Sequence, residues 1–505
     1  MNRKRLSVIV LHTAENTRTS KLIANCLRLD PAEVIFVTPK PDQAREEWKS
    51  DPRVQVIEQP FRLFMGWTVG AKRATGNTLL FIPTDDEWDQ AALQRFLMPI
   101  LYQQADAVLA KEDHRRNAGR KLLVQAWGQL LNGLTGSMQL QTASLYLAPF
   151  ALTKEAVQRI GEAHLANPAA FHYKLCNSGL SVVSQMIDLG RAKPYSPRLY
   201  GCLHTELSAY EKELIGDHLA VIGHLPPRGA FSDGGRKRAW INRLERNPAA
   251  LSFSFQQGRS FVRRELYQGK RLSVIIPACN EAATIQQVIG EAAQIEPAEI
   301  IVVANGSTDQ TAALARQAGA STLELSVPLG VDCGRALGAK YATGELLLFV
   351  DADFAIPASD LYPFALALSQ GIDLALNDTN YYPPAHIAKT TSLAARYALN
   401  ALIGRTDLGV SSMLTVPFGL NKNALEAIGW PRLICPPLAQ TALSLAGCAI
   451  SHAHRVEIDR LNRFRPEKHL TVDTLSLAAE QIVGDHMEAF QYFYKKQEVY
   501  GILEH

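Results

Sequence analysis

The sequence predicts two tandem α/β domains, each a mostly parallel sheet covered by helices, and three observations carry that expectation. The chain repeats itself. Arg5-Leu6-Ser7-Val8-Ile9-Val10 returns as Arg271-Leu272-Ser273-Val274-Ile275-Ile276, and Pro31-Ala32-Glu33 as Pro297-Ala298-Glu299, both 266 residues later. Gly70-Ala71-Lys72-Arg73-Ala74-Thr75-Gly76 returns as Gly338-Ala339-Lys340-Tyr341-Ala342-Thr343-Gly344 at 268, the offset that also links Pro149-Phe150 to Pro417-Phe418. A period this long means one domain written twice. Within each copy, short apolar runs alternate with helical stretches, the pattern of a parallel sheet with helices on both faces. Finally, the apolar run Leu346 to Val350 stops on Asp351 and Asp353, which places two carboxylates at a strand's carboxyl end, where open α/β sheets bind ligands.

The boundaries follow from these repeats. Residues 1–225 form the first domain and 270–502 the second. Residues 226–269 make a basic linker, opened by the turn residues Pro226-Pro227-Arg228-Gly229 and Asp233-Gly234-Gly235. Its arginines (Arg236, Arg238, Arg243, Arg246, Arg259) read as a solvated surface, with an acidic-ligand surface as the alternative. Residues 503–505, Leu-Glu-His, resemble an expression-tag remnant and are set aside.

Composition excludes several classes. Of 505 residues, 47% are hydrophobic and 20% charged, as in ordinary globular protein, and a net charge of +3 gives no bulk attraction to nucleic acid. Seven scattered cysteines without a Cys-x-x-Cys argue against a disulfide framework and for a reducing, cytoplasmic setting. No apolar run reaches spanning length, so no transmembrane segment is expected; a peripheral position on the inner face of a membrane stays open.

The chemistry concentrates in the second copy. Its first strand leads into Pro277-Ala278-Cys279-Asn280-Glu281, and the strand Ile300 to Ala304 leads into Asn305-Gly306-Ser307-Thr308-Asp309. Then come Gly334-Arg335-Ala336-Leu337-Gly338 and Asp351-Ala352-Asp353. Gly306 permits a sharp turn, Ser307 can cap a helix, and a carboxylate pair one residue apart suits a divalent metal.

In that order, Pro-x-x-Asn-Glu, Asn-Gly-Ser-Thr-Asp, Gly-Arg-x-x-Gly and Asp-x-Asp resemble the family-two glycosyltransferases of the GT-A fold, over about Arg271 to Asp378. The resemblance implies two tandem GT-A-like, Rossmann-like domains and a metal-dependent transfer of sugar from a nucleotide-sugar donor, with a slight lean to UDP. It implies a donor site of Pro277, Asn280, Glu281, Asn305, Gly306, Ser307, Asp309, Arg335 and Asp351. In that site the Asn305 amide meets the base edge, Arg335 meets base or phosphate, and Asp351 with Asp353 holds Mn2+ or Mg2+ on the diphosphate. The acceptor, whether glycan, lipid-linked or small molecule, stays open, as does a homo-oligomer.

The first copy departs at these positions. Arg335 corresponds to Trp67, Asp351 to Pro83 and Asn305-Gly306 to Pro39-Lys40. Thr84-Asp85-Asp86 would serve as an acid pair only if the register slips. The expectation is a degenerate, catalytically silent domain, against the alternative of a second transferase with unusual donor contacts.

Downstream, the Glu-Asp that supplies the base in inverting members of the family is missing; Cys435 to Gln440 contains no acid. Asp378 or Asp407 could act as base, or the enzyme is retaining and needs none. Arg460-Leu461-Asn462-Arg463-Phe464-Arg465-Pro466 is similar to a stretch in retaining glucosyl-3-phosphoglycerate synthases, where a histidine completes the metal site. Here that position is Asn462, so His452, His454 or His469 would have to substitute, with His469 taken as the third metal ligand. Arg463, with Arg455, Arg460 and Arg465, would close over the diphosphate. Tyr381-Tyr382 would line the acceptor side. The rival from another class is a non-catalytic sugar- or protein-binding scaffold on a transferase fold.

Overall fold

The computed structural model describes residues 5–12, 19–39, 51–60, 64–84, 88–111, 122–187, 207–226, 228, 231–246, 253–262, 266–383, 386–387, 390–460 and 475–499. It divides into two compact units, Met1–Leu225 with Pro383–Ala394, and Pro226–Tyr382 with Ala395–His505. Among the described residues no helix is long and apolar enough to cross a membrane.

The first unit is built on seven strands: β1 (Leu6–Leu11), β2 (Glu33–Thr38), β3 (Val54–Glu58), β4 (Thr78–Pro83), β5 (Ala107–Lys111), β6 (Phe150–Thr153) and β7 (Val182–Met186). They lie in the order β3-β2-β1-β4-β6-β5-β7, and β6 alone runs antiparallel to its neighbours. The second unit adds β8 (Ser254–Gln256), β9 (Leu272–Ala278), β10 (Glu299–Asn305), β11 (Ser321–Leu325), β12 (Leu346–Phe349), β13 (Leu374–Asn377), β14 (Phe418–Asn421) and β15 (Ile450–His454). Their order is β15-β13-β14-β12-β9-β10-β11-β8. Apart from the edge strand β8, which pairs antiparallel to β11, it reproduces the first order strand for strand. Both units are α/β with a mostly parallel sheet.

Central strands such as Leu6–Leu11 and Leu346–Phe349 are buried along their whole length, as expected of runs covered by helices on both faces. The likeness reaches single side chains. In the first unit Ser7 Oγ donates to Glu33 (2.6 Å), which also accepts from Thr75 N (2.6 Å). In the second, Ser273 Oγ donates to Glu299 (2.7 Å), which accepts from Thr343 N (2.6 Å). A Cβ on Gly70 would lie 2.4 Å from Ile9 Cγ2, and one on Gly338 would lie 2.4 Å from Ile275 Cγ2. Each repeated glycine thus lets its helix sit flat on the first strand.

The 226–246 segment differs from the solvated linker expected. It belongs to the second unit, and Arg228, Arg236 and Arg238 are taken up by ion pairs with Asp233, Asp332, Asp485 and Glu488. The physical reason is partner supply. Asp485 and Glu488 lie on the C-terminal helix Leu477–Val499, distant in sequence, and they neutralise guanidinium groups that local composition shows only as a run of basic charge.

Candidate active site

The site residues gather at the carboxyl ends of β9, β10 and β12. β9 has β10 on one side and β12 on the other, so the strand order reverses there, and ligands of open α/β sheets bind at such a reversal.

The loop after β9 is held open by side chains from the loop after β10. Asn280, with φ of +58°, accepts from Thr308 N at 2.8 Å through Oδ1, and its own N–H donates to Ser307 Oγ at 3.2 Å. Glu281 N donates to Thr311 Oγ1 (2.8 Å) and Ala282 N to Asp309 Oδ2 (3.0 Å). Burial alone would raise the Asp309 carboxyl, but the bonds from Thr311 and Ala282 outweigh it and hold the group below the ordinary aspartate range. Ser307 and Asp309 therefore brace this loop. Thr284 Oγ1 donates to Ala352 O (2.6 Å), fixing the peptide between the two aspartates.

Asn305 was expected to face the base with its amide. Its amide is instead engaged by the glycine-rich loop: Oδ1 accepts from Leu329 N (2.8 Å) and Nδ2 donates to Gly330 O (3.0 Å). Gly306 has φ of +70°, and a Cβ there would lie 2.4 Å from Pro328 N. Pro277 is half-buried, and Gly334 lies so close beneath it that a Cβ would stand 2.8 Å from Pro277 Cβ.

Arg335 lies inside the site. Its guanidinium donates to Asp332 Oδ1 and to Asp351 Oδ1, each at 2.7 Å, and stands 6.0 Å over the Phe418 ring. Burial would disfavour the charge, but Asp351 and Asp332 more than offset it and hold the group protonated. In the first unit Trp67 takes the corresponding place, edge-on to Phe81 and Phe150 at 5.6 Å each. Pro83 stands where Asp351 does, so that position offers no carboxylate; Asp85 and Asp86 lie outside the described residues.

Asp351 and Asp353 offer hard oxygen donors of the kind Mg2+ and Mn2+ prefer. Asp351 keeps its Oδ2 when Oδ1 binds Arg335, and Asp353 Oδ1 is buried. The donor set fits such an ion. Of the histidines considered, His454 Nε2 lies 3.2 Å from Asp360 and His452 Nε2 lies 3.4 Å from Asn380 Nδ2. Arg463 and His469 lie outside the described residues. Among the described residues, Cys435, Asp485 and Glu488 come together with metal-ligand spacing, but both carboxylates already bind arginines.

Asp378 and Asp407 are both arginine-bound. Asp378 Oδ2 accepts from Arg455 at 2.7 Å; burial would raise its carboxyl, but the arginine bond and Asn380 N–H prevail and lower it. Asp407 accepts two bonds from Arg405 at 2.8 and 2.7 Å, and these hold its carboxyl low against partial burial. The Tyr381 and Tyr382 rings meet at a tilt of 37° with centroids 4.6 Å apart. Sequence reasoning missed Asp332 and Thr284, which touch the site from positions without a motif.

Fold and site together define a glycosyltransferase. The model of "Glycosyl transferase family 2" matches residues 273–400, and the glucosyl-3-phosphoglycerate synthase of Mycobacterium tuberculosis (strain CDC 1551 / Oshkosh) is 31% identical over 244 residues, covering 43% of this chain and 72% of the relative. The chain belongs to glycosyl transferase family 2. Among solved structures, the M. tuberculosis synthase in complex with uridine diphosphate is 22% identical, covering 46% of this chain and 88% of that one with a TM-score of 0.34. The same synthase with Mn2+ and uridine-diphosphate-glucose is 23% identical, covering 39% and 73%, with a TM-score of 0.31.

Proposed function

We propose that the chain transfers a sugar from a nucleotide donor, UDP-linked by preference, to an acceptor hydroxyl, with the donor site in the second unit. The observation that carries this reading is that two separate segments meet on Asp351-Ala352-Asp353: Thr284 holds the Ala352 carbonyl, and Arg335 holds the Asp351 carboxylate. Mn2+ or Mg2+ held by Asp351 and Asp353 would act as a Lewis acid toward the charge that gathers on the leaving diphosphate. Pro277, Asn280 and Glu281 line the nucleoside side, while Asn305, Gly306, Ser307 and Asp309 shape the loops around it. Arg463 and His469 are proposed on sequence similarity alone, as a diphosphate contact and a third ligand.

For Asp378 and Asp407 the reading shifts. A general base works best with a pKa near the working pH, and both carboxylates are held low by arginines. This favours a retaining transfer that needs no protein base, with both acids orienting Arg455 and Arg405 on the acceptor side. The relative's name makes a nucleotide-linked glucose and 3-phosphoglycerate the first donor and acceptor to assay.

We also read the two units as copies of one duplicated domain, residues 1–225 and 270–502, the first catalytically silent. The shared strand order and the repeated Ser-Glu-Thr bonds support duplication, and Trp67 and Pro83 support silence.

The test is calorimetric titration of UDP with and without Mn2+. Metal-dependent binding to the wild type, lost in Asp353→Ala, is the expected result. A wild type that ignores nucleotides under both conditions overturns the donor site.

A further inference from the structure

The glycine-rich loop Leu329–Asp332 is held from two sides. Asn305 grips it from β10, and the 233–238 segment lies along its other edge. Val331 N donates to Gly234 O (3.1 Å), Lys237 N to Leu329 O (2.8 Å), and Arg236 Nε to Val331 O (3.2 Å). Contact is so close that a Cβ on Gly330 would lie 2.4 Å from Arg236 N.

The side chains extend this grip to the site. Arg236, wholly buried, donates to Asp332 Oδ2 at 2.8 Å and to both oxygens of Asp485 at 2.7 and 2.8 Å. Asp332, only 5% exposed, accepts from Arg335 through its other oxygen, and Arg335 reaches Asp351. Charges alternate along this row from the helix Leu477–Val499 to the first aspartate of the Asp-x-Asp pair. Asp332 also sits at φ of +61°, a conformation that costs a non-glycine residue and holds only where its surroundings fix it. Two arginines clasping its two oxygens supply that constraint.

We propose that Arg236 is a positioning residue for the donor site: it fixes Asp332, so that Arg335 holds Asp351 with one oxygen turned to the metal and diphosphate. Without Arg236, Asp332 keeps one partner and can turn, and Arg335 gains the freedom to cover both oxygens of Asp351. The metal then competes with a guanidinium for its own ligand. A lysine cannot substitute, because one ammonium cannot reproduce the planar fork that spans two carboxylates.

This inference rests on the donor-site reading above, and the experiment separates the two. Mn2+-dependent binding of UDP and metal-free binding of UMP are titrated for the full-length wild type, Arg236→Met, Arg236→Lys, Asp332→Asn and the Arg236→Met/Asp332→Asn double variant. Folding is followed by circular dichroism. Outer-shell partners of metal ligands are worth about 10- to 100-fold in affinity, so each single variant should lose roughly that much of the Mn2+-dependent UDP affinity. Metal-free UMP binding should move little, and the double variant should fall no further than the worse single one, since both act through one row. A merely structural role would lower both affinities together and add in the double variant, which overturns the proposal. Unchanged UDP affinity in a folded Arg236→Met protein overturns it as well. If that variant does not fold, Asp332→Asn decides on the same readings. A wild type that binds no nucleotide removes the donor site and this inference with it.

Discussion

At the scale of single residues, the chain shows what a strand-end motif requires beyond its letters. Gly306 was legible from sequence as a sharp turn, and the structure supplies the reason: positive φ and a proline backbone where a Cβ would go. Gly306→Ala should destabilise the second unit by about 1–3 kcal/mol, measured by urea titration, with the loop at Pro328 displaced. The chemistry of Asp217 is tertiary. Burial pushes its carboxyl up to about 7, against the Tyr146 hydroxyl bond at 2.5 Å, with Glu213 adding to the rise. A carboxyl raised in the folded state contributes stability in full below the unfolded value near 4 and loses it as pH climbs to about 7. Asp217→Asn should therefore melt increasingly above the wild type from pH 4 to 7, with a constant difference beyond; a difference that does not vary with pH would contradict this. The buried His172, His218 and His486 work in the opposite sense. Burial lowers them to about 3, 4 and 3, so their contribution is lost as pH falls from about 6.5.

At the scale of elements, the helices and strands that carry the motifs were readable because their signals are local. A buried strand needs a continuous apolar run, and a helix lying flat on it needs glycine at the contact. The C-terminal helix Leu477–Val499 buries Val483, Met487 and Phe490. Its second role, presenting Asp485 and Glu488 to three arginines, depends on partners that arrive from about 250 residues earlier in the sequence. Removing one partner of a buried ion cluster leaves the others uncompensated. Asp485→Ala should cost about 3–5 kcal/mol in equilibrium unfolding, whereas Lys495→Ala on the same helix should cost well under 1 kcal/mol. Equal costs would mean that the arginine cluster contributes nothing specific.

At the scale of the whole molecule, the two units carry sheets of one strand order. The first unit shows the same glycine and serine-glutamate contacts as the second, with Trp67 and Pro83 at the positions that match Arg335 and Asp351. The expected stoichiometry in calorimetry is one UDP per chain. Two equivalent sites would contradict the reading of the first unit as silent.

The sequence by itself determined the duplication signal, the α/β class and the order of motifs at strand ends, because each is set by residues adjacent along the chain. It also marked the first copy's departures, since a tryptophan in place of an arginine is visible as a letter. Only the tertiary structure decided what those residues touch. It engaged the Asn305 amide with a backbone loop, bound Asp378 and Asp407 to arginines, and turned a basic stretch into a buried network reaching Asp351. The physical reason is that a charge or amide carries no sign in sequence of whether water or a distant partner will satisfy it. That choice is made when folding removes the water.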